Sequence, residues 1–139
     1  MNAITPAATS SDIAAVRQLF EAYSAFLPVD LTLQQIDTEV ASLPGSYAAP
    51  RGALFLARAD NFAAGCIGLR PFSGSVREVK RLYVVPAFRG RGLARSLVSA
   101  AIAAGRSIGY EALVLDSLDS IQTAISLFRS FGFEPTEPY

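Results

Sequence analysis

The chain contains no histidine, and this absence excludes more chemistry than any residue present supplies. Without imidazole there is no histidine general base, no serine–histidine–aspartate triad and no histidine-ligated metal centre. Cysteine is nearly absent too. Cys66 stands alone, so no internal disulfide forms, which fits a reducing compartment. Neither sign of charge is in excess: twelve basic and twelve acidic side chains cancel. The chain therefore lacks the cationic surplus of a general nucleic-acid binder. No apolar run reaches the roughly 18–20 residues of a membrane span. The N-terminus lacks the basic start and apolar stretch of a signal peptide. The expectation is a soluble cytoplasmic protein with no metal, nucleic-acid or membrane partner.

What is present is enough for one core. The 139 residues make a single domain spanning 1–139, and 51% hydrophobic against 17% charged residues exclude a disordered tail. A short strand is predicted near Ala3–Thr5. Ser10, Ser11 and Asp12 offer N-cap oxygens. Ile13, Val16, Leu19, Phe20, Tyr23 and Phe26 or Leu27 then repeat at three and four, an amphipathic helix that Pro28 ends. A second helix is predicted from about Leu33 to Leu43, capped by Thr32, with Ile36, Val40 and Leu43 on one face and Pro44-Gly45 as its stop. Gly45 to Gly52 reads as a loop, with Tyr47 and Arg51 on it.

The period changes at Ala53. Ala53–Arg58 and Ala64–Leu69 read as a hairpin turning at Asp60-Asn61, a second turn covers Phe72–Ser75, and Val76–Val85 forms a longer strand closed by Pro86. A glycine turn at 89–92 opens a third helix to about Ser107, ended by Gly109. Ala112–Leu115 is wholly apolar and reads as a strand buried on both faces. Ala124, Ile125, Leu127, Phe128 and Phe131 mark a last helix capped by Gly132, and Phe133-Glu134-Pro135 begins a final strand. The fold class is α/β, with a mixed, mostly antiparallel sheet, helices on both faces and the order β-α-α-β-β-β-α-β-α-β. The strand-helix-strand unit from Val79 to Leu115 requires a parallel crossover.

The most informative stretch runs from Val84 through Arg89-Gly90-Arg91-Gly92 to Ala94. A strand enters a glycine turn and leaves as a helix whose first amides have no internal partner. The helix dipole makes that spot electropositive, glycine admits a phosphate to the backbone, and Arg89, Arg91 and Arg95 add charge. Either this is a phosphate or pyrophosphate site, or it is a tight turn with solvated arginines. It is not a Walker A loop, because no Gly-Lys-Ser/Thr follows. It is a poor dinucleotide fingerprint, because Arg95 stands where a third small residue belongs.

Several words in order decide between these readings. They are Glu78-Val79-Lys80-Arg81-Leu82-Tyr83-Val84, Pro86, Arg89-x-x-Gly92-x-Ala94, Gly109-Tyr110, Leu115-Asp116-Ser117 and Ala124-x-x-Leu127-Phe128-x-x-x-Gly132-Phe133. Together they resemble the GNAT superfamily of N-acetyltransferases, from about Ala53 to Tyr139. The resemblance implies acetyl-CoA as the acetyl donor and a primary amine of a small molecule, amino acid or peptide as acceptor. It places the pyrophosphate on the turn formed by Arg89, Gly90, Arg91, Gly92, Leu93 and Ala94. It places the pantetheine arm against the backbone of Leu82 and Val84, with the thioester where this strand splays from the next near Leu115.

Glu78 matches the family's general-base glutamate. Strand alternation puts it on one face with Lys80, Leu82 and Val84. Burial would raise its pKa, and Lys80 and Arg77 would oppose that. Glu78 is thus either a base, directly or through water, or one half of a structural ion pair with Lys80 or an arginine. The family often carries tyrosine where Phe128 stands, as the acid that meets the leaving sulfur. Tyr83, Tyr110, Ser117 and Tyr139 are other hydroxyls, or the thiolate leaves unassisted. Cys66 reads as core. Tyr47, Arg51, Arg70 and Phe72 read as loop-side residues that either meet the acceptor or are plain surface or packing residues. A chain lacking the family's last strand would leave Phe133–Thr136 as an exposed edge, which a homodimer would cover. The alternative function is a non-catalytic acetyl-CoA sensor, and a phosphate binder unrelated to CoA is a third.

Overall fold

The protein was analysed as a computed structural model that describes residues 2–26, 36–115 and 122–135. Along them run β1 (Asn2–Pro6), α1 (Ser10–Phe26), α2 (Ile36–Ser42), β2 (Ala53–Ala59), β3 (Phe62–Ser73), β4 (Val76–Val84), α3 (Leu93–Ile108), β5 (Ala112–Leu115) and α4 (Gln122–Ser130). Pro28, Thr32 and Leu33 lie outside the described residues. The five strands stand in chain order, β1-β2-β3-β4-β5. The first three neighbouring pairs are antiparallel, and β4–β5 is parallel through α3. This is the mixed, mostly antiparallel sheet that the sequence predicts.

Alternation along β2 sorts the two layers. Leu54 and Leu56 join Val16, Leu19 and Phe20 of α1 on one face. Ala57 and Ala59 join Leu93, Leu97, Val98 and Ala101 of α3 and Phe128 of α4 on the other. Each fully buried side chain of this size contributes about 1.5–3 kcal/mol, so both layers are anchored by burial.

Thr9, not the serines after it, caps α1. Its hydroxyl accepts from the Asp12 amide at 3.0 Å, while the Asp12 carboxylate accepts from the Thr9 amide at 3.2 Å. This reciprocal capping box satisfies two of the helix's orphan donors. Asp12 also binds Arg58 of β2 at 2.8 Å, tying α1 to the sheet.

Four further expectations are corrected. Tyr47 is a core residue rather than a loop-side one: it is 1% exposed and sets its ring edge-on to Phe20 at 5.9 Å. It fits because a Cβ on Gly68 would lie 2.5 Å from its ring. β3 runs to Ser73, so the second turn shrinks to Gly74-Ser75, because Arg70↔Glu78 and Pro71↔Arg77 keep the ladder paired. β5 is not buried on both faces. Among the described strands it stands at the sheet edge, with Ala112 exposed and Leu113–Leu115 half-buried. Residues 133–135 form no strand. Their backbone instead closes α4: Gly132 takes φ +95, its amide donates to Arg129 and the Phe133 amide donates to Phe128. Thr136, the end of the edge considered for a dimer, lies outside the described residues.

Candidate active site

The site begins with one extra residue in β4. Between Cys66 and Gly68 β3 advances two residues, while β4 covers three from Lys80 to Tyr83. The surplus is a β-bulge, and Arg81 sits in it with φ +62, a left-handed conformation rare for a non-glycine residue. The bulge resets the alternation. Glu78 and Lys80 face the α1–α2 layer, as does Tyr83, whereas Val79, Leu82 and Val84 belong to the α3 layer. The expectation that Glu78, Lys80, Leu82 and Val84 share a face is thus corrected, because strict period-two counting does not survive an inserted residue.

Beyond the bulge, β4 has no paired neighbour on its β5 side among the described residues. Parallel pairing with β5 runs from Val76↔Ala112 to Val79↔Leu115, and β4 continues to Val84. The Val85 amide donates to Ala64 of β3 at 2.8 Å, so the polar groups of Val84 and, by alternation, Leu82 point the other way. They are the backbone groups that the sequence proposes for an amide-rich ligand, although the Val84 carbonyl also accepts from Arg89.

The glycine turn lies beyond the end of this strand. Gly90 and Gly92 adopt φ +82 and +78, and a Cβ on either would meet nothing within 4 Å. Gly92 is the N-cap of α3 and supplies no capping side chain. The Ser96 amide is the first to bond back, to Gly92 at 3.1 Å. The amides of Leu93, Ala94 and Arg95 therefore have no intrahelical acceptor at the positive end of a 16-residue helix. This arrangement fits a phosphate. The three arginines are placed by the protein itself. Arg89 donates to the Val84 carbonyl at 3.0 Å, Arg91 pairs with Asp60 at 3.0 Å, and Arg95 donates to Ser130 at 3.3 Å. Arg89 thereby staples the turn to the strand end.

On the opposite face, four charged groups alternate in a chain. Glu78 is 4% exposed and binds Arg70, its cross-strand partner, at 3.0 Å. Arg70 also reaches Glu39 of α2 at 3.3 Å, and Glu39 binds Arg81 at 2.8 Å. The ion pair foreseen between Glu78 and an arginine forms with Arg70. Arg77 points elsewhere, donating to the Arg51 and Gly74 carbonyls and stacking on Tyr110 at 4.1 Å. Burial, and then Arg81, push the Lys80 ammonium below its ordinary range. Sequence reading passes over Glu39 and Arg81 as site residues. One signal was available for Glu39, a carboxylate beside Val40 and three residues from Ile36 on an otherwise apolar helical stripe.

With this geometry in hand, comparison with known proteins is direct. The profile described as "Acetyltransferase (GNAT) family" matches residues 16–133. The chain belongs to the GNAT acetyltransferase family. An uncharacterized N-acetyltransferase of Schizosaccharomyces pombe is 39% identical over 130 residues, covering 92% of this chain and 80% of the relative. The uncharacterized N-acetyltransferase YjgM of Escherichia coli is 29% identical over 122 residues, covering 86% and 72%. Among solved structures, an aminoglycoside N-acetyltransferase in complex with CoA superposes with a TM-score of 0.77 at 22% identity, covering 100% of this chain and 91% of that one. The ribosomal-protein-S18-alanine N-acetyltransferase of E. coli superposes at 0.75 and 20% identity, covering 99% and 80%. At these identities the superpositions establish the fold.

As a GNAT member the protein is an N-acetyltransferase that takes its acyl group from acetyl-CoA. Catalysis thus displaces the binding-only reading. The remaining sequence candidates in this acetyltransferase are placed as follows. Phe128 is buried in the α3 layer and has no proton to give. The Tyr110 hydroxyl donates to the Arg51 carbonyl. Tyr83 is 7% exposed and packs toward α1, edge-on to Tyr23 at 6.1 Å. Ser117 and Tyr139 lie outside the described residues. Cys66 is fully buried, donates to the Arg81 carbonyl at 3.4 Å, and has its thiol pushed up by that burial. Phe72 is 45% exposed on the end of β3. No described helix is long and apolar enough to cross a membrane.

Proposed function

We propose that the protein transfers the acetyl group of acetyl-CoA to a primary amine of a small molecule, amino acid or peptide by direct attack on the thioester. One observation carries the reading: a helix N-terminus without a side-chain cap, behind two left-handed glycines, follows a strand that is unpaired on its β5 side beyond Val79 among the described residues. In this reading the amides of Gly90, Arg91, Gly92, Leu93 and Ala94 hold the pyrophosphate, with Arg89 holding the turn. Leu82 and Val84 pair through their backbone with the amides of the pantetheine arm. Two structural neighbours, an aminoglycoside and a ribosomal-protein-alanine N-acetyltransferase, support an amine acceptor.

In the chemical step the amine nitrogen forms a bond to the acetyl carbon and the carbon–sulfur bond breaks. The amine proton passes to Glu78, the buried carboxylate oriented by Arg70, through a water molecule. The sulfur leaves as thiolate without an acid from the described residues. A thiol pKa near 8.5 makes it a tolerable leaving group, and Phe128 offers no alternative.

The test is calorimetric titration with acetyl-CoA, using ATP and NAD as controls, followed by an amine panel read by thiol release. Binding of acetyl-CoA alone, with amine-dependent thiol release, is expected. Equal binding of all three nucleotides would leave only a phosphate site. Binding without thiol release from any amine class would remove the acceptor assignment.

A further inference from the structure

Arg81 combines two features that belong together. Its backbone is left-handed in the middle of a strand, a conformation that persists only where surrounding contacts enforce it. Its side chain is almost wholly buried and locked to α2: Nε meets Glu39 Oε2 at 2.8 Å and a terminal nitrogen reaches Oε1 at 3.5 Å. The guanidinium lies 5.8 Å from the Tyr23 ring centre of α1. The Arg81 carbonyl is held by Cys66 from β3. The bulge is thus fastened from three elements at once. Glu39 is the node, because Arg70 also binds it and carries Glu78 on its other side.

The position of this fastening matters. Among the described residues the β4–β5 pairing ends at Val79, and the bulge follows within two residues. Whatever sets the backbone at Arg81 sets the direction of Leu82 and Val84 along the rest of the strand. We infer that the Glu39–Arg81 pair is a positioning latch: through it α2 fixes the bulge and thereby the backbone groups that meet the thioester end of acetyl-CoA. This inference rests on the acetyl-transfer reading above. Glu39 and Arg81 act through β4 and touch no reacting atom. A salt bridge kept only for stability would move melting temperature and nothing else. A latch also moves the electronic environment of the bound carbonyl.

The test uses the full chain and acetyl-CoA labelled with carbon-13 at the acetyl carbonyl. In the parent, binding shifts the carbonyl resonance from its free position. Glu39→Gln keeps the shape and removes the charge. It is expected to bind acetyl-CoA within about threefold of the parent, while the bound resonance moves back toward the free position and amide exchange quickens in α2 and at residues 81–84. With an amine identified by the panel, kcat falls on the order of 10- to 100-fold, and Glu39→Asp recovers part of it. A folded Glu39→Gln chain with the parent's resonance and protection overturns the latch, as does a parent whose resonance does not move on binding. If Glu39→Gln does not fold, the double variant Glu39→Met with Arg81→Met removes both charges together. A folded double variant with the parent's resonance overturns the inference, and one that also fails to fold makes the pair structural and overturns it too. A parent that binds no acetyl-CoA overturns the acetyl-transfer reading itself, a separate result.

Discussion

Arg70 stands directly across the β3–β4 ladder from Glu78, and its guanidinium closes on that carboxylate at 3.0 Å. A buried carboxylate held this way is fixed in place, and in the proposed reaction it takes the amine proton through water. Glu78→Gln is expected to lower turnover by about 10²- to 10⁴-fold while leaving acetyl-CoA affinity near that of the parent. Arg70 retains Glu39 as a partner, so the variant keeps its fold. Thiol-release rates across the pH range provide the check, and rates matching the parent throughout would remove Glu78 from the proton path.

Gly92→Glu is expected to abolish acetyl-CoA binding. The new carboxylate would stand at the positive end of α3, where the phosphate belongs. The fold should survive, because an added Cβ meets nothing within 4 Å and the left-handed φ of +78 costs roughly 1 kcal/mol. Gly92→Ala, which carries the same backbone strain without the charge, is the control. Circular dichroism with titration calorimetry separates loss of binding from loss of folding.

Gly68→Ala addresses the opposite face. Its methyl would fall 2.5 Å from the Tyr47 ring, which is wedged against Phe20. Overpacking of this kind costs about 1–3 kcal/mol, read as a lower midpoint in urea with an unchanged slope. Adding Tyr47→Leu to make room should recover part of the loss.

The capping box gives an acid dependence. The Thr9 backbone amide, the Arg58 guanidinium and the Ala8 amide hold the Asp12 carboxyl at about 2, against an ordinary 3.8. Between these values the unfolded chain binds the proton more readily than the folded one. The stabilisation is therefore complete above the ordinary value and drains away as pH falls through about 2. Asp12→Asn should show a flatter loss of stability over that interval, measured by thermal melts at successive pH values.

The parts of this molecule legible in its sequence are those written locally. Periodicity at three and four marks α1, α3 and α4, and the four apolar residues of β5 lie where read. Gly90 and Gly92 announce a turn before a helix because few other residues accept their φ. The ion chain was not legible. It joins Glu39 to residues 31 and 42 positions away, and only the sheet brings them together. Nor does any residue type announce the bulge. Arg81 carries no mark of a left-handed backbone, so counting by twos misplaced Leu82 and Val84. Tyr47 looked like loop decoration because its pocket is made by the absence of a side chain on Gly68.

At Leu82 and Val84 the β5 side of β4 presents peptide groups rather than side chains. A surface read through its main chain leaves almost no signature in the alphabet of amino acids. Valine, isoleucine, threonine or phenylalanine would offer a partner the same amide and carbonyl, and proline alone would withhold the donor. Such positions are free to drift in evolution while what they hold stays the same, and a search for invariant letters passes straight over them.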